Sequence, residues 1–332
     1  MIQNIKDFLW AAAKSRPKPG LPILSFPAAG KLGVTVEALV QDPELQARAM
    51  EYVALNTPSP VAMSPMDLSV EAEAFGAKVR FTTEDIPAIS GQLVPGEVEA
   101  RNLSVPRPGA GRTGIYIEGV RRAVERLGPK PLLAGMIGPF SLAGRLMDVT
   151  EIMYSCYDEP ETVHIVLEKA AAFLIEYGKA MRKAGAAGIL MAEPLTGVLN
   201  PAMAREFSIP YVKRIIQALQ DDSFGIIYHN CGGSVTSMLK DIFSQGAIAY
   251  HFGNAVNMKE ILENAPQDVL CMGNIDPAAQ FAGGSPSSMR NAVEELMACC
   301  GSYGNFLPSS GCDIPAHTRW ENINAFFQAL LK

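Results

Sequence analysis

The residues best suited to chemistry in this sequence are one histidine and two cysteines. His229 and Cys231 lie two positions apart, so in an extended segment their side chains point to the same side. Cys312 lies much farther along the chain, in the stretch SSGCDIP. Imidazole and thiolate groups are common zinc ligands, and a catalytic zinc needs three protein ligands and one open position. The trio therefore predicts a zinc site. The alternative is that both cysteines are small buried residues and His229 is a hydrogen-bonded core histidine.

The three side chains can meet only if the elements that carry them end at a common edge. Eight short apolar runs alternate with helix-length segments, and such unbroken runs fit strands of a parallel sheet that helices cover on both faces. The predicted strands are 21–26, 61–64, 131–137, 186–192, 224–228, 247–250, 268–273 and 305–308. The predicted helices are 42–56, 113–127, 160–184, 201–220, 234–245, 258–264, 286–300 and 319–331. Strand and helix in alternation predict an α/β fold, a single (β/α)8 TIM barrel.

Two segments fall outside this alternation. Residues 3–13 predict an amphipathic helix, which together with a breaker-rich linker forms an N-terminal extension over 1–20. Residues 67–112 are too long for a connection between strand and helix, and their short apolar runs predict a small β insertion, or lid, after the second strand. We expect the whole chain, 1–332, to be one domain.

Barrel enzymes carry their chemistry at the carboxyl ends of the strands. Glu193 follows the fourth predicted strand and His251 the sixth, and we predict that both are catalytic. A carboxylate at such a position is costly to bury unless it is paired, whereas His251 is equally compatible with a core histidine. Asn254, Asn274 and Asp313, near the ends of the last three strands, are predicted to bind substrate.

Composition and missing motifs exclude several functions. The 332 residues are 48% hydrophobic and 19% charged, with 28 basic and 34 acidic side chains and a net charge of −6. Without a basic cluster, we expect binding neither to nucleic acid nor to a membrane surface. The first ten residues lack a basic region and contain Asp7, so no secretory signal is expected and the predicted location is cytoplasmic. Phosphate-binding, dinucleotide-binding and serine-hydrolase motifs are absent from the sequence.

Four stretches resemble the uroporphyrinogen decarboxylase superfamily and, more closely, its zinc-dependent corrinoid methyltransferase branch. They are MDLSVEAEAFG at 66–76, HNCGG at 229–233, GNIDP at 273–277 and SSGCDIP at 309–315. The resemblance implies a (β/α)8 barrel with zinc on His229, Cys231 and Cys312. It also implies a methyl group moving between a small donor or acceptor and a corrinoid (methylcobalamin) on a separate corrinoid-binding protein. Zinc would either activate a thiol as thiolate or act as a Lewis acid on the oxygen of a methyl ether.

One departure from the superfamily pattern separates its branches. Decarboxylases resemble each other in an arginine-rich motif after the first strand, but residues 21–33 read LPILSFPAAGKLG and contain no arginine. A porphyrin with eight carboxylates would lack its main counter-charges. The alternatives are a porphyrin decarboxylase, methylation of a thiol such as coenzyme M, and a non-catalytic zinc or corrinoid-binding barrel. No strand end shows a cation for a sulfonate, which favours the demethylating direction, and the resemblance implies an aryl methyl ether as the methyl donor.

Overall fold

A computed structural model describes residues 4–331. The first seven helices are α1 (Ile5–Lys14), α2 (Ala28–Leu32), α3 (Val36–Gln41), α4 (Pro43–Asn56), α5 (Val70–Ala74), α6 (Glu97–Asn102) and α7 (Thr113–Leu127). The others are α8 (Pro139–Met147), α9 (Val149–Asp158), α10 (Pro160–Lys183), α11 (Pro201–Phe207), α12 (Ile209–Leu219), α13 (Leu239–Phe243), α14 (Met258–Asn264), α15 (Pro286–Cys300) and α16 (Trp320–Leu330). The strands are β1 (Ala62–Met63), β2 (Lys78–Arg80), β3 (Ala88–Ser90), β4 (Leu132–Ile137), β5 (Gly188–Ala192), β6 (Gly225–Asn230), β7 (Ala249–Phe252), β8 (Leu270–Ile275) and β9 (Phe306–Ser310). Among residues 4–331, no helix combines the length and the apolar character needed to cross a bilayer.

The main sheet is parallel and contains seven of these strands, in the order β1-β4-β5-β6-β7-β8-β9. The predicted first strand, 21–26, does not form a strand. Its Leu21 N–H does bond the Pro308 carbonyl of β9 at 2.9 Å, but the next donor, the Ile23 N–H, goes to the Ser310 hydroxyl at 2.9 Å. A side chain thus takes the place of the backbone acceptor, and the ladder stops. The fold is α/β with a curled parallel sheet, and seven of the eight predicted strands are observed.

Both faces of the sheet are buried, as the unbroken apolar runs predict. On the inner face Leu133, Leu190, Ile227 and Leu307 pack with residues of the segment before β1. The opposite face packs against the surrounding helices in a second, larger cluster. Helix α1 contributes Ile5, Leu9 and Ala13 to the inner cluster. The N-terminal helix therefore belongs to the core.

The insertion after β1 carries a two-stranded antiparallel ribbon, β2 with β3. Arg112 fixes the two ends of this insertion to each other. Its guanidinium bonds the Asp67 carboxylate at 2.5 Å, Glu73 at 2.6 Å and the Ser69 hydroxyl at 2.7 Å. The Phe81 ring stacks on the same guanidinium, and the guanidinium carbon of Arg112 lies 4.9 Å from the centroid of that ring. A largely buried ion-pair cluster thus ties the ribbon to the body of the protein.

Several helical regions differ from the prediction. Of the predicted helix 234–245 only α13 is an α-helix, and a 3-10 turn, Gly233–Met238, precedes it. The segment 201–220 is two helices, α11 and α12, because Pro210 has no N–H to continue the first one. The predicted helices do not include α8 and α9, nor the short helices α2, α3, α5 and α6. The first turn of α8 is capped by Glu193, whose carboxylate accepts the backbone N–H groups of Phe140 and Ser141. A cap from a residue about fifty positions away gives no local signal.

Candidate metal and substrate site

The three predicted zinc ligands converge at the carboxyl end of the sheet. His229 lies in β6, Cys231 follows that strand directly, and Cys312 follows β9. Their ligand atoms all lie within 4.8 Å of one another. Close backbone packing holds the loops in place, since a Cβ on Gly253 would lie 2.5 Å from the Cys231 Cα. The parallel register brings together side chains that are far apart in the sequence.

The distance between two of these donor atoms matches a tetrahedral zinc. The Cys312 sulfur lies 3.6 Å from His229 Nε2. Ligands at about 2.3 Å (sulfur) and about 2.0 Å (nitrogen) in a tetrahedron would be about 3.5 Å apart. The neighbouring Cys312 thiol and then His229 lower the pKa of Cys231, while the pKa of Cys312 is raised because the pair shares a proton. The donor set is thus one imidazole nitrogen, one thiolate and a second thiol that metal binding would deprotonate.

A hydrogen-bonded chain behind His229 sets its tautomer. His229 Nδ1 lies 2.8 Å from His251 Nδ1, and His251 Nε2 lies 2.7 Å from the Ser309 hydroxyl. That hydroxyl donates to the Leu21 carbonyl at 2.7 Å, so it must accept a hydrogen bond from the His251 Nε2–H group. Burial, with His229 next to it, lowers the pKa of His251, which is therefore neutral and accepts at Nδ1. His229 consequently donates from Nδ1 and keeps its Nε2 lone pair for a metal.

Glu193 is fully buried and faces helix α8. Its carboxylate accepts the N–H groups of Phe140 at 2.9 Å and Ser141 at 2.7 Å, and also the Ser141 hydroxyl. Burial raises its pKa to about 7, against the lowering effect of these bonds. Neither Glu193 nor His251 is among the residues that line the cavity described next. Both support the site from behind, and their catalytic role stays a prediction.

A cavity of about 360 Å³ lies beside the three donors. Its wall is mainly apolar and includes Ile23, Met66, Leu68, Ile86, Ile89 and Pro194. The ribbon of the insertion supplies part of this wall, which supports its role as a lid. Asp313 also lines the cavity, and its two buried carboxylate oxygens have no hydrogen-bond partner among residues 4–331. Burial raises the pKa of this carboxyl well above its usual value.

Asn254 and Asn274 lie outside this cavity, at a separate depression near α14. The Asn254 amide donates to Asp276 at 2.9 Å. Asn274 donates to the carbonyls of Gly253 at 3.0 Å and Val256 at 2.8 Å. Their amides stabilise the loops that follow β7 and β8, and the cavity lends no support to their predicted contact with substrate.

Sequence reasoning missed one cavity residue, Arg145. It lies in the last turn of α8 and is the single lysine or arginine among the cavity-lining residues that the structure describes. Burial lowers its pKa, and the Asp67 carboxylate opposes that effect. Arg145 does not follow a strand but lies on a helix whose cap, Glu193, is distant in the sequence, so no local pattern predicts it.

Comparisons with known proteins agree with this architecture. A methylcobamide:CoM methyltransferase of Methanosarcina acetivorans is 24% identical over 328 residues, covering 96% of this chain and 95% of that protein. A uroporphyrinogen decarboxylase of Hahella chejuensis is 28% identical over 276 residues, or 80% and 76% of the two chains. A solved methyltransferase from Methanosarcina mazei shares the fold, with a TM-score of 0.86, 23% identity and 98% of each chain covered. Residues 22–332 match the uroporphyrinogen decarboxylase (URO-D) family, to which this chain therefore belongs.

Proposed function

We propose that this chain is a zinc-dependent methyltransferase that moves a methyl group between a small donor or acceptor and the cobalt of a corrinoid on a partner protein. The observation that carries the proposal is the convergence of His229, Cys231 and Cys312 on one cavity, at a spacing that fits zinc. Bound there, zinc would supply a Lewis acid with one open position, able to activate a thiol or a methyl ether. The relatives named as methylcobamide:CoM methyltransferases support the corrinoid.

The residues of this chain perform two tasks in that reaction. His251 and Ser309 hold His229 in the tautomer that leaves Nε2 free. The apolar wall and the ribbon exclude water from the cavity and strengthen electrostatic interactions inside it. A volume of about 360 Å³ suits a small substrate but not a corrinoid as well, which supports delivery of the corrinoid by a partner.

The rival activity, porphyrin decarboxylation, has less support. A substrate with eight carboxylates requires several cationic partners in a buried site. Arg145 is the single lysine or arginine on the described cavity wall, and residues 21–33 contain no arginine. Relatives of both activities match this chain at similar identity, so the experiment below includes both reactions.

Metal analysis and a transfer assay test the proposal together. We expect about one zinc per chain, and formation of methylcobalamin from cobalt(I) cobalamin with a methyl donor, or its consumption by a thiol. Cys312→Ser should lose both zinc and transfer, whereas Cys299→Ser, an exposed cysteine outside the site, should keep both. Full activity in metal-free protein, or conversion of uroporphyrinogen to coproporphyrinogen, would refute the proposal.

We also propose that the chain acts as one (β/α)8 domain in which residues 21–26 occupy the position of the first strand. The Leu21 bond to Pro308 and the packing of Leu21 and Ile23 in the inner cluster support this placement. The segment would then bring Ile23 to the cavity, as the other strand ends bring their own side chains.

A further inference from the structure

The carboxyl group of Asp313 lies on the wall of the metal-site cavity, and the described part of the chain offers it no hydrogen bond. Both of its oxygens are buried, and neither has a partner among residues 4–331. The Ile314 N–H acts on this carboxyl group, but its hydrogen bond goes to the Ile23 carbonyl at 3.0 Å. An ionised carboxylate has about four acceptor positions. Because such a group is costly to bury without donors, the cavity wall calls for a donor that the protein itself does not supply.

The charge of Asp313 is also uncompensated within the described residues. Arg145, the single lysine or arginine on the same wall, has its charge partly offset by Asp67, whereas no basic side chain among residues 4–331 acts on Asp313. The three metal donors have ligand atoms within 4.8 Å of one another, and the Asp313 oxygens do not belong to that group. Zinc held by a neutral imidazole and two thiolates would carry no net charge, so the loaded metal site would not neutralise the carboxylate either.

We infer that Asp313 binds an ammonium group on the small methyl donor or acceptor. Ammonium binding at Asp313 rests on the proposed function and deepens it by naming the substrate class, a small amine that also carries a thiol, a thioether or a methyl ether. An ammonium group has three N–H donors and a positive charge, so a single group meets both needs of the carboxylate. Asp313 directly follows Cys312 and lines the same cavity, so such a molecule can place its reacting atom at the metal donors and its nitrogen at Asp313.

Binding of matched probes to the zinc-loaded protein tests the ammonium site without requiring turnover. The probes of each set differ in one terminal group: 2-methoxyethylamine, 2-methoxyethanol and 1-methoxypropane among ethers, and 2-aminoethanethiol, 2-mercaptoethanol and 1-propanethiol among thiols. Isothermal titration calorimetry measures each dissociation constant. In the wild type, the amine of at least one set should bind about 10- to 100-fold more tightly than its alcohol and its alkyl analogue, the usual effect of a charged hydrogen bond.

Two variants locate the effect. Asp313→Asn keeps the shape of the side chain and removes its charge, so it should lose the preference for the amine and keep both the zinc and the affinity for the alkyl analogue. Thiol acidity differs within the second set, and comparing each constant between wild type and variant cancels that difference. Asp158→Asn removes an exposed aspartate on α9 and should keep the wild-type preference.

A measurement on zinc-free wild type distinguishes an ammonium at Asp313 from an amine bound to the metal. The preference for 2-methoxyethylamine should persist without zinc, because its nitrogen contacts Asp313. Loss of the preference in the zinc-free protein would overturn the inference. So would an amine that binds no more tightly than its alcohol in the wild type, a preference that survives in Asp313→Asn, or no binding of any probe.

Failure of the proposed function and failure of the ammonium site give different results. If methyl transfer fails while Asp313-dependent amine binding persists, the proposed function is refuted and the ammonium site stands. If methyl transfer proceeds but no amine is preferred, the function stands and the ammonium site is refuted.

Discussion

At the scale of single residues, His251 shows how a side chain can serve a site without touching the cavity. It is fully buried between His229 and Ser309, and its two ring nitrogens have one partner each. Because a neutral imidazole has one N–H and His251 uses it to donate to Ser309, His251 must accept at Nδ1, and His229 must donate from Nδ1. Removing His251 would free His229 to rotate and to exchange tautomers.

We therefore predict that His251→Ala weakens zinc binding by about 10- to 100-fold, the usual effect of losing the partner of a ligating histidine. Ser309→Ala should act in the same direction but less strongly, because Ser309 bonds His251 and does not contact His229 through a hydrogen bond. The measurement is the zinc dissociation constant by competition with a chelator. His164→Ala, at a half-buried histidine bonded to Tyr211, is the control and should bind zinc normally. An unchanged zinc dissociation constant in His251→Ala would show that the hydrogen bonds through His251 and Ser309 do not orient His229.

The buried carboxyl group of Glu71 makes the stability of the folded protein depend on pH. One carboxylate oxygen accepts the Ile137 N–H at 3.0 Å, and the other is buried without a partner among the described residues. Burial raises its pKa from 4.5 to about 8; Asp67 adds to the rise and Arg112 opposes it. The folded protein therefore holds a proton that the unfolded chain releases above pH 4.5. The stability that this bound proton contributes is fully present below pH 4.5 and is lost as the pH rises to about 8.

Glu71→Gln should remove this dependence. The variant should gain free energy of unfolding relative to wild type between about pH 5 and about pH 8, at up to about 1.4 kcal/mol per pH unit. Urea unfolding of both proteins across that range measures the difference. A difference that stays constant with pH would mean that Glu71 ionises in the folded protein as it does in the unfolded chain.

At the scale of elements, the insertion depends on a buried ion-pair cluster for its position. Arg112 is 6% exposed and the Asp67 side chain 0%, so removal of the arginine leaves an unpaired buried carboxylate. We predict that Arg112→Ala costs about 3–5 kcal/mol of folding free energy. It should also speed proteolysis within 78–90, the ribbon that Arg112 holds through Phe81. Urea unfolding and limited proteolysis measure the two effects.

A nearby arginine provides the control. Arg121, on α7, forms ion pairs with Glu118 and Glu125 but is 47% exposed. Exposed pairs contribute about 0–1 kcal/mol, so Arg121→Ala should change stability little and leave the ribbon protected. Equal losses in the two variants would contradict the assignment of the anchoring role to Arg112.

The elements also show where sequence reasoning succeeds and where it fails. Helices α4, α7, α14 and α15 follow the prediction closely, and three of them are marked locally by capping side chains at Asp42, Asn257 and Ser285. Helix α8 has its cap in Glu193, and the first predicted strand loses its ladder to the Ser310 hydroxyl. Both failures come from contacts between distant parts of the chain, which no window of sequence contains.

At the scale of the whole molecule, some residues of the site are predictable from the sequence, and others depend on contacts between distant parts of the chain. The convergence of His229, Cys231 and Cys312 was predictable because parallel strands place their carboxyl ends together. Arg145 was not predictable, because its place on the cavity depends on a helix stabilised by tertiary contacts. The sequence predicts the strand ends at which Glu193 and His251 lie, but the direction of their side chains away from the cavity depends on packing.

The two ends of the sheet should separate stability from chemistry, as in other barrels. Leu9 of α1 is fully buried in the inner cluster with Leu190 and Ile227, while the donor atoms lie at the carboxyl ends of the strands. We predict that Leu9→Ala lowers the free energy of unfolding by about 2–5 kcal/mol through the cavity it creates. Leu55→Ala, at a leucine that is 78% exposed, should be nearly neutral. Below its unfolding transition, Leu9→Ala should keep the wild-type zinc constant and methyl-transfer rate. A loss of zinc affinity in the folded variant would show that the helix also holds the metal site in place.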